Sequence, residues 1–324
     1  MTRTSPTARL VEGAYAAGWA AVRGMPERLA RRQFDAIADG VWMRHGKGVQ
    51  RLESNLRRVL GPDVSERELR RTTHLGVRSY LRYWCEVFQL PRMSVVALQD
   101  RMKTVDERRM RDAVGSGRGT VLVLPHMGNW DVAGAWLAGG GVPFTTVAER
   151  LEPASLFERF VAFRESLGME VIPLTGGERS PFELLAERLR AGGTLCLLGD
   201  RDLTATGIEV EFFGAAARMP AGPAALARET GAALIPATLW FHDDRQWAVR
   251  FHPEVPRVST GDRAADIRTM TQGVADAFAE GIAEHPQDWH MLQRVWVDDL
   301  DPTRLPVVAE SATDGVGTSG GRGT

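Results

Sequence analysis

The stretch TVLVL at residues 120–124, followed by PHMGNWD at residues 125–131, decides the fold of this 324-residue chain. A short uninterrupted run of apolar and β-branched residues predicts a strand that is buried on both faces, as in a parallel sheet. The residues after it predict a turn and then a helix from about residue 132, which the glycines at 139–141 end. A buried strand that leads directly into a helix is the first unit of an α/β fold.

The same alternation continues towards the C-terminus. Further strands are predicted at residues 144–148, 169–174, 194–198, 233–240 and 246–251, and further helices at residues 153–167, 181–190, 220–230 and 264–284. Strands that alternate with helices predict a mostly parallel central sheet with helices on both faces. The last two strands are separated only by residues 242–245, which predicts an antiparallel hairpin at an edge of that sheet.

The chain before residue 111 predicts a helical, basic extension. Apolar residues recur at helical spacing at positions 10, 11, 15, 19 and 22, and again at 29, 30, 34, 37 and 41. Ser65 and Glu68 have the spacing of a capping box. Residues 1–110 hold 21 Lys and Arg against 12 Asp and Glu, a net charge of +9, whereas the rest of the chain carries −10. A basic helical surface is typical of contact with an anionic membrane or nucleic acid, with an ordinary solvated surface as the alternative.

Three regions follow from these patterns: a helical membrane-associating region at 1–110, an α/β core at 111–305 and a disordered tail at 306–324. The first residues lack the apolar run of a signal peptide, and no stretch reaches the roughly 18 consecutive apolar residues of a spanning helix. The two cysteines, Cys85 and Cys196, are too few for a disulfide framework. We therefore predict a peripheral protein on the cytoplasmic face of the cell membrane.

Reactive side chains follow two of the predicted strands, and ligands bind beyond the carboxyl ends of strands in such sheets. His126 and Asp131 follow the strand at 120–124, and Asp200 follows the strand at 194–198. If His126 lies in the turn and Asp131 in the first helical turn, the carboxylate can approach the imidazole and fix its tautomer. Such a pair is a competent general base near neutral pH. The alternative is a histidine that caps the helix beside an ordinary first-turn aspartate.

Residues 126–131, HMGNWD, contain the H-x4-D signature of glycerolipid acyltransferases. Together with GDRDL at 199–203 and HPQDWH at 285–290, they resemble the bacterial lipid A biosynthesis acyltransferase family, and within it the branch that acylates phosphatidylinositol mannosides. The resemblance covers nearly the whole chain. It implies transfer of a long, palmitoyl-like acyl chain from acyl-CoA, or from an acyl carrier protein, to a mannose hydroxyl of a mannosylated phosphatidylinositol. A lipid A precursor is the alternative acceptor.

The same resemblance implies roles for individual residues. His126 takes the proton of the attacking hydroxyl, Asp131 orients His126, and Asp200 also contacts it, although the mannoside branch favours a glutamate at that place. Arg164 and Arg201 supply charge to phosphate groups of the acceptor or of CoA. The further substrate-binding candidates are Glu149, Arg150, Asn129 and Gly128. No cofactor is expected, because acyl-CoA is a co-substrate.

Other functions fit the sequence less well. The glycines at 115, 117 and 119 precede a strand, whereas a nucleotide-binding loop follows one, and no H-E-x-x-H motif or cysteine pair predicts a metal site. We therefore expect neither a metal nor a nucleic-acid partner. A non-catalytic module that binds anionic lipid explains residues 1–110 but not the two strand ends. Residues 205–219 are expected to form a loop whose Ile208, Phe212 and Phe213 either line an acyl groove or anchor the loop in the core.

Overall fold

The computed structural model describes residues 18–19, 21–148, 154–174, 179–202 and 207–300. Its main helices are α1 Glu27–Arg44, α2 Lys47–Leu60, α3 Glu66–Gln89, α4 Val95–Arg101, α5 Glu107–Gly115, α6 Trp130–Gly139, α7 Ala154–Ser166, α8 Pro181–Arg190, α9 Gly222–Thr230 and α10 Arg263–Glu284. Its strands are β1 Met102–Val105, β2 Thr120–Leu124, β3 Phe144–Ala148, β4 Met169–Pro173, β5 Thr194–Leu198, β6 Ile208–Phe212, β7 Ala215–Met219, β8 Ala233–Phe241 and β9 Trp247–Phe251. Short 3₁₀ turns lie at Leu90–Arg92, Pro286–Asp288 and Val297–Asp299.

Seven strands form one sheet in the order β1-β9-β8-β2-β5-β3-β4. The five strands from β8 to β4 run parallel, and β9 pairs antiparallel with β8. Side chains of β2 alternate between two cores: Val121 and Val123 pack with residues of α8, α9 and α10, and Leu122 packs with residues of α6. Helices therefore cover both faces of the sheet. The predicted α/β class, with a mostly parallel sheet and a helical N-terminal region, is confirmed.

Two predictions about the sheet were wrong. β1 lies within the segment predicted to be helical and pairs in parallel with β9, so the β8–β9 hairpin exists but does not form the edge of the sheet. Residues 205–219, predicted as a loop, contain the antiparallel pair β6 and β7. Phe213 and Gly214 join these two strands with positive φ at both positions, 50° and 71°, as a type I′ hairpin turn requires.

The β6–β7 hairpin shows which of the two expected roles its aromatic side chains have: lining a groove or anchoring the segment in the core. Phe212 is 1% exposed and stacks on Trp296, with ring centroids 6.1 Å apart. Phe213 packs against the same core. The segment is therefore anchored in the core, and these two rings do not line the large cavity described below.

The N-terminal helices form a small core of their own, which includes Leu52, Leu56 and Leu69. Ser65 caps α3 by accepting a hydrogen bond from the backbone N–H of Glu68 at 3.2 Å. The apolar face predicted for α1 is only partly buried: its alanines pack inward and Phe34 contacts Phe88, but three of its larger aliphatic side chains are exposed. The exposed fractions are 48% at Leu29, 51% at Ile37 and 38% at Val41.

No helix within the described ranges is both long enough and apolar enough to cross a membrane. The predicted apolar positions 10, 11 and 15 and the predicted tail at 306–324 lie outside the described residues.

Candidate active site

The adjacent parallel strands β2 and β5 bring two reactive side chains together. Leu124 and Leu198 are register partners at the ends of these strands, so His126 and Asp200, each two residues further on, lie side by side. His126 Nδ1 is 2.6 Å from Asp200 Oδ1, and the backbone N–H of His126 donates to Asp200 Oδ2 at 2.9 Å. A carboxylate at Nδ1 favours the tautomer with its proton on that nitrogen, which leaves a lone pair on Nε2. The geometry is that of a base with its orienting carboxylate.

Asp200 is fully buried, whereas the His126 side chain keeps 21% of its surface exposed. Burial raises the pKa of the Asp200 carboxyl. The neighbouring charge of His126 and the hydrogen bonds from His126 and Trp289 lower this pKa by more than burial raises it. The net result is a pKa below the ordinary value. Asp200 is therefore ionised at neutral pH, and its charge stabilises a protonated imidazole.

Asp131 does not have the partner that we expected from the sequence. It lies buried in the first turn of α6, and its carboxylate accepts hydrogen bonds from Arg164 Nε at 2.8 Å, from Arg164 Nη2 at 3.2 Å and from the Tyr83 hydroxyl at 2.7 Å. The carboxylate thus joins α3, α6 and α7, and His126 is paired with Asp200 instead. The Asp131 charge raises the pKa of the Arg164 guanidinium. Arg164 is therefore paired with Asp131, and both residues also line the cavity at His126; phosphate binding by Arg164 stays a prediction.

Gly128 and Asn129, two predicted substrate-binding residues, are occupied by contacts within the protein. Gly128 has a φ of +58°, its N–H donates to the Asp288 carbonyl at 2.9 Å, and a Cβ there would lie 2.9 Å from backbone atoms of Leu239. Asn129 caps α6 through the N–H of Val132 and donates to a carboxylate oxygen of Glu86 at 2.9 Å. Neither residue lines the cavity at His126. The Gly128 N–H is therefore already used within the protein.

His126 lines a cavity of about 710 Å³, a volume well within the range of about 300–1,000 Å³ that is typical of ligand sites. Its walls are mostly apolar and include Leu122, Leu124, Trp136, Leu137, Leu185, Leu226 and Phe251. Phe144 and Met169 form one part of the lining, beside Gly134 of α6. Arg201 and Asp202 add polar groups to the wall. Such a cavity suits a long apolar chain whose reactive end lies beside His126.

Two predicted site residues lie outside the described ranges, and three residues of the site were not predicted from the sequence. Glu149 and Arg150 belong to the first group. Trp130 and His290 line the cavity, and Trp289 donates its indole N–H to Asp200 Oδ2 at 2.9 Å. The HPQDWH stretch was the available sequence signal for Trp289 and His290, but it carried no role.

No group of three or more His, Cys, Asp or Glu side chains is placed to hold a metal ion within the part of the chain that the structure describes.

Known proteins resemble the chain over most of its length. The family model for the bacterial lipid A biosynthesis acyltransferase matches residues 2–298. A protein of Mycolicibacterium smegmatis named phosphatidylinositol mannoside acyltransferase is 50% identical over 293 residues, which cover 90% of this chain and 92% of that protein. A Mycobacterium tuberculosis protein of the same name, from strain CDC 1551 / Oshkosh, is 49% identical over 305 residues, or 93% of each chain. The chain therefore belongs to the bacterial lipid A biosynthesis acyltransferase family and is an acyltransferase.

Proposed function

We propose that this chain moves a long, palmitoyl-like acyl group from acyl-CoA to a mannose hydroxyl of a mannosylated phosphatidylinositol, with His126 as general base. The observation that carries the proposal is the mostly apolar cavity lined by His126, whose imidazole is paired with Asp200. A mostly apolar lining supports an acyl chain as the occupant, and an imidazole in the same lining supports a base beside the reacting thioester. The names of the relatives supply the acceptor class.

In this reaction the hydroxyl oxygen attacks the thioester carbonyl carbon while His126 Nε2 takes the hydroxyl proton. The tetrahedral intermediate then collapses, the carbon–sulfur bond breaks, and the departing CoA thiolate takes the proton back from His126. Asp200 keeps its charge throughout and stabilises the imidazolium between the two proton transfers. A positioned base contributes about 10²–10⁴-fold to such a step.

The state of the cysteines supports direct transfer over an acyl-cysteine intermediate. Cys196 lies in β5, where burial raises the pKa of its thiol far above the ordinary range. Burial likewise raises the pKa of the Cys85 thiol to about 12. Because the thiolate is the nucleophilic form, neither side chain is suited to accept the acyl group at neutral pH.

We also propose that α1 contributes to binding an anionic membrane, on its cytoplasmic face where acyl-CoA is found. Leu29, Ile37 and Val41 are exposed on a helix that also carries the exposed Arg28 and Arg32. Apolar side chains beside cationic ones suit the interface of a bilayer that contains anionic lipids. The acceptor lipid is itself an anionic component of such a surface.

The test is transfer of radiolabelled palmitate from palmitoyl-CoA to purified mannosylated phosphatidylinositol in anionic vesicles. The proteins are the wild type, His126→Ala, Asp200→Asn and, as a control, His242→Ala, whose side chain is exposed and outside the cavity. We expect loss of about 10²-fold or more in His126→Ala, a substantial loss in Asp200→Asn and no loss in the control.

Each part of the proposal has its own contrary result. Full activity in a folded His126→Ala variant would refute the general base. Transfer only from an acyl carrier protein would refute the CoA donor, and transfer only to lipid A precursors would refute the acceptor. Vesicle binding without any acyl transfer by the wild type would favour the non-catalytic lipid-binding module.

A further inference from the structure

The HPQDWH stretch at 285–290 packs directly against the turn that carries His126. The N–H of Gly128 donates to the Asp288 carbonyl at 2.9 Å, and the N–H of His290 donates to the His126 carbonyl at 2.7 Å. These two hydrogen bonds flank Met127, which forms an isolated antiparallel bridge with Trp289. The stretch therefore fixes the backbone of the catalytic turn from a distant part of the chain.

The Trp289 side chain contacts Asp200, the partner of His126. Its indole N–H donates to Asp200 Oδ2 at 2.9 Å, the same oxygen that accepts the backbone N–H of His126. Asp200 Oδ1 is thereby left to face the imidazole. An indole nitrogen is only a donor, so this bond has a fixed direction. The terminal torsion of an aspartate is broad, and a second donor on Oδ2 restricts it.

Trp289 is itself held rigidly. It is fully buried and packs edge-on against Phe212, with ring centroids 5.9 Å apart, and against Trp296 at 6.1 Å. Trp289 is not among the residues that line the large cavity. Trp289 therefore affects the reaction through its hydrogen bond to Asp200, and not by contact with the substrates.

We propose that Trp289 is a positioning residue, whose indole N–H holds the Asp200 carboxylate in the orientation that serves His126. This proposal rests on the proposed role of His126 as the base. Loss of the indole donor frees the carboxylate to rotate and lowers kcat. A carboxylate that is free to rotate also stabilises the imidazolium less well. The imidazole then stays neutral, and active as a base, to lower pH, so the acid limb of kcat/KM moves to lower pH.

Other titratable groups lie near the His126–Asp200 pair. They are present in every variant compared, so they contribute equally to each pH profile. Burial lowers the pKa of His290 to about 3, so this ring stays neutral across the assay range. Burial raises the pKa of Asp288 to about 6, so this group titrates within that range. Arg82 and Glu86 on α3 act on Asp288, and Asp131, Arg164, Arg201 and Asp202 are charged residues that line the cavity.

Trp296 provides a matched control. It is also fully buried in the same aromatic cluster, and its indole N–H donates to the Phe212 carbonyl at 2.9 Å. Trp296→Phe removes a buried indole donor of the same kind without touching Asp200. Effects that come only from loss of packing or of a buried hydrogen bond are therefore common to both variants.

The experiment compares Trp289→Phe and Trp296→Phe in the full chain by urea unfolding, kcat, the KM for palmitoyl-CoA and the pH profile of kcat/KM. We expect Trp289→Phe to lower kcat about tenfold with KM within about twofold, and to move the acid limb down by about half a pH unit or more. Trp296→Phe loses similar stability but keeps kcat and the acid limb. Equal kinetic effects and unshifted acid limbs in both variants would overturn the proposal.

A second measurement does not depend on folding of the Trp289 variant or on turnover. The indole ¹H–¹⁵N resonances of the wild type are compared with those of Asp200→Asn, with the Trp296 resonance as internal reference. The proposal predicts a shift of the Trp289 resonance and none of the Trp296 resonance, and an unmoved Trp289 resonance would overturn it. Because this readout needs no substrate, failure of the indole contact is distinguished from failure of the proposed transfer reaction.

Discussion

Replacing Asp288 by asparagine is expected to change how the stability of the protein depends on pH. The Asp288 side chain is 3% exposed, its Oδ1 accepts the Ser79 hydroxyl at 2.6 Å, and its Oδ2 accepts the N–H of Phe241 at 3.1 Å. Burial raises the pKa of this carboxyl from 3.8 to about 6, more than these hydrogen bonds lower it. The folded protein therefore favours the neutral form of Asp288.

The sign follows from proton binding. Between pH 3.8 and about 6 the folded state holds a proton on Asp288 that the unfolded state releases, so this group's contribution to stability is complete below that window and is lost as pH rises through it. A difference of about 2.2 pKa units corresponds to about 3 kcal/mol over the whole window, of which about 2 kcal/mol falls between pH 4.5 and pH 8.

Asparagine has nearly the same shape but carries no charge. Its carbonyl oxygen can accept the Phe241 N–H, and its amide can donate to the Ser79 hydroxyl, which then donates to His290 Nε2, 2.8 Å away. We therefore expect the stability of Asp288→Asn, relative to the wild type, to increase by about 2 kcal/mol between pH 4.5 and pH 8.

The assay is urea unfolding of both proteins at the two pH values, with the free energy taken from the midpoint and the slope. Carboxyls whose folded pKa lies below the ordinary value, such as Asp200 and Asp266, make stability rise with pH. They occur in both proteins and cancel in the difference. The reasoning is refuted if the stability difference is the same at both pH values, or if asparagine costs more at pH 8 than at pH 4.5.

Two further changes test the cavity and the buried ion pair beside it. A Cβ at Gly134 would lie 2.7 Å from Met169 Cε and 3.0 Å from Phe144 Cζ. Gly134→Ala should therefore press these side chains into the cavity and lower kcat/KM for palmitoyl-CoA several-fold relative to lauroyl-CoA; an unchanged ratio across an acyl-CoA series would contradict this. Arg164→Met should cost about 3–5 kcal/mol in urea unfolding, because it leaves the Asp131 charge buried and unpaired. Adding Asp131→Asn should recover part of that loss, and a double variant less stable than Arg164→Met would count against the explanation.

Periodicity was sufficient to predict most of the sheet. The central strands are continuous apolar runs such as TVLVL, and the helices between them end at glycines, so local signals agree with the tertiary structure. β1 is only four residues long and lies between helices, so it has little strand signal of its own. It pairs with β9, a partner about 145 residues away that local patterns do not reveal. The alternation in β6, IEVEF, did carry a strand signal, but the small residues of β7 hid the hairpin.

The sequence predicted the part of the candidate site that lies at the ends of adjacent strands. His126 and Asp200 follow strands that pair in register, and that pairing is a general property of such sheets. The partners of Asp131 are not local: Tyr83 lies on α3 and Arg164 on α7, so no spacing within HMGNWD reveals them. The same holds for Trp289, which is 89 residues from Asp200 in the chain.

The two carboxylates differ in how their charge is neutralised, and this difference makes Asp200 the better suited of the two to the proposed base. Asp131 has a permanent cation, Arg164, at 2.8 Å, so little of its charge is left to stabilise an imidazolium. Besides the imidazole, Asp200 accepts hydrogen bonds from uncharged donors, the His126 backbone and the Trp289 indole, which orient it without neutralising it. Its counterion is then His126 itself, but only while His126 holds the proton. A carboxylate arranged in this way stabilises the intermediate more than the resting state, which is what lowers a barrier.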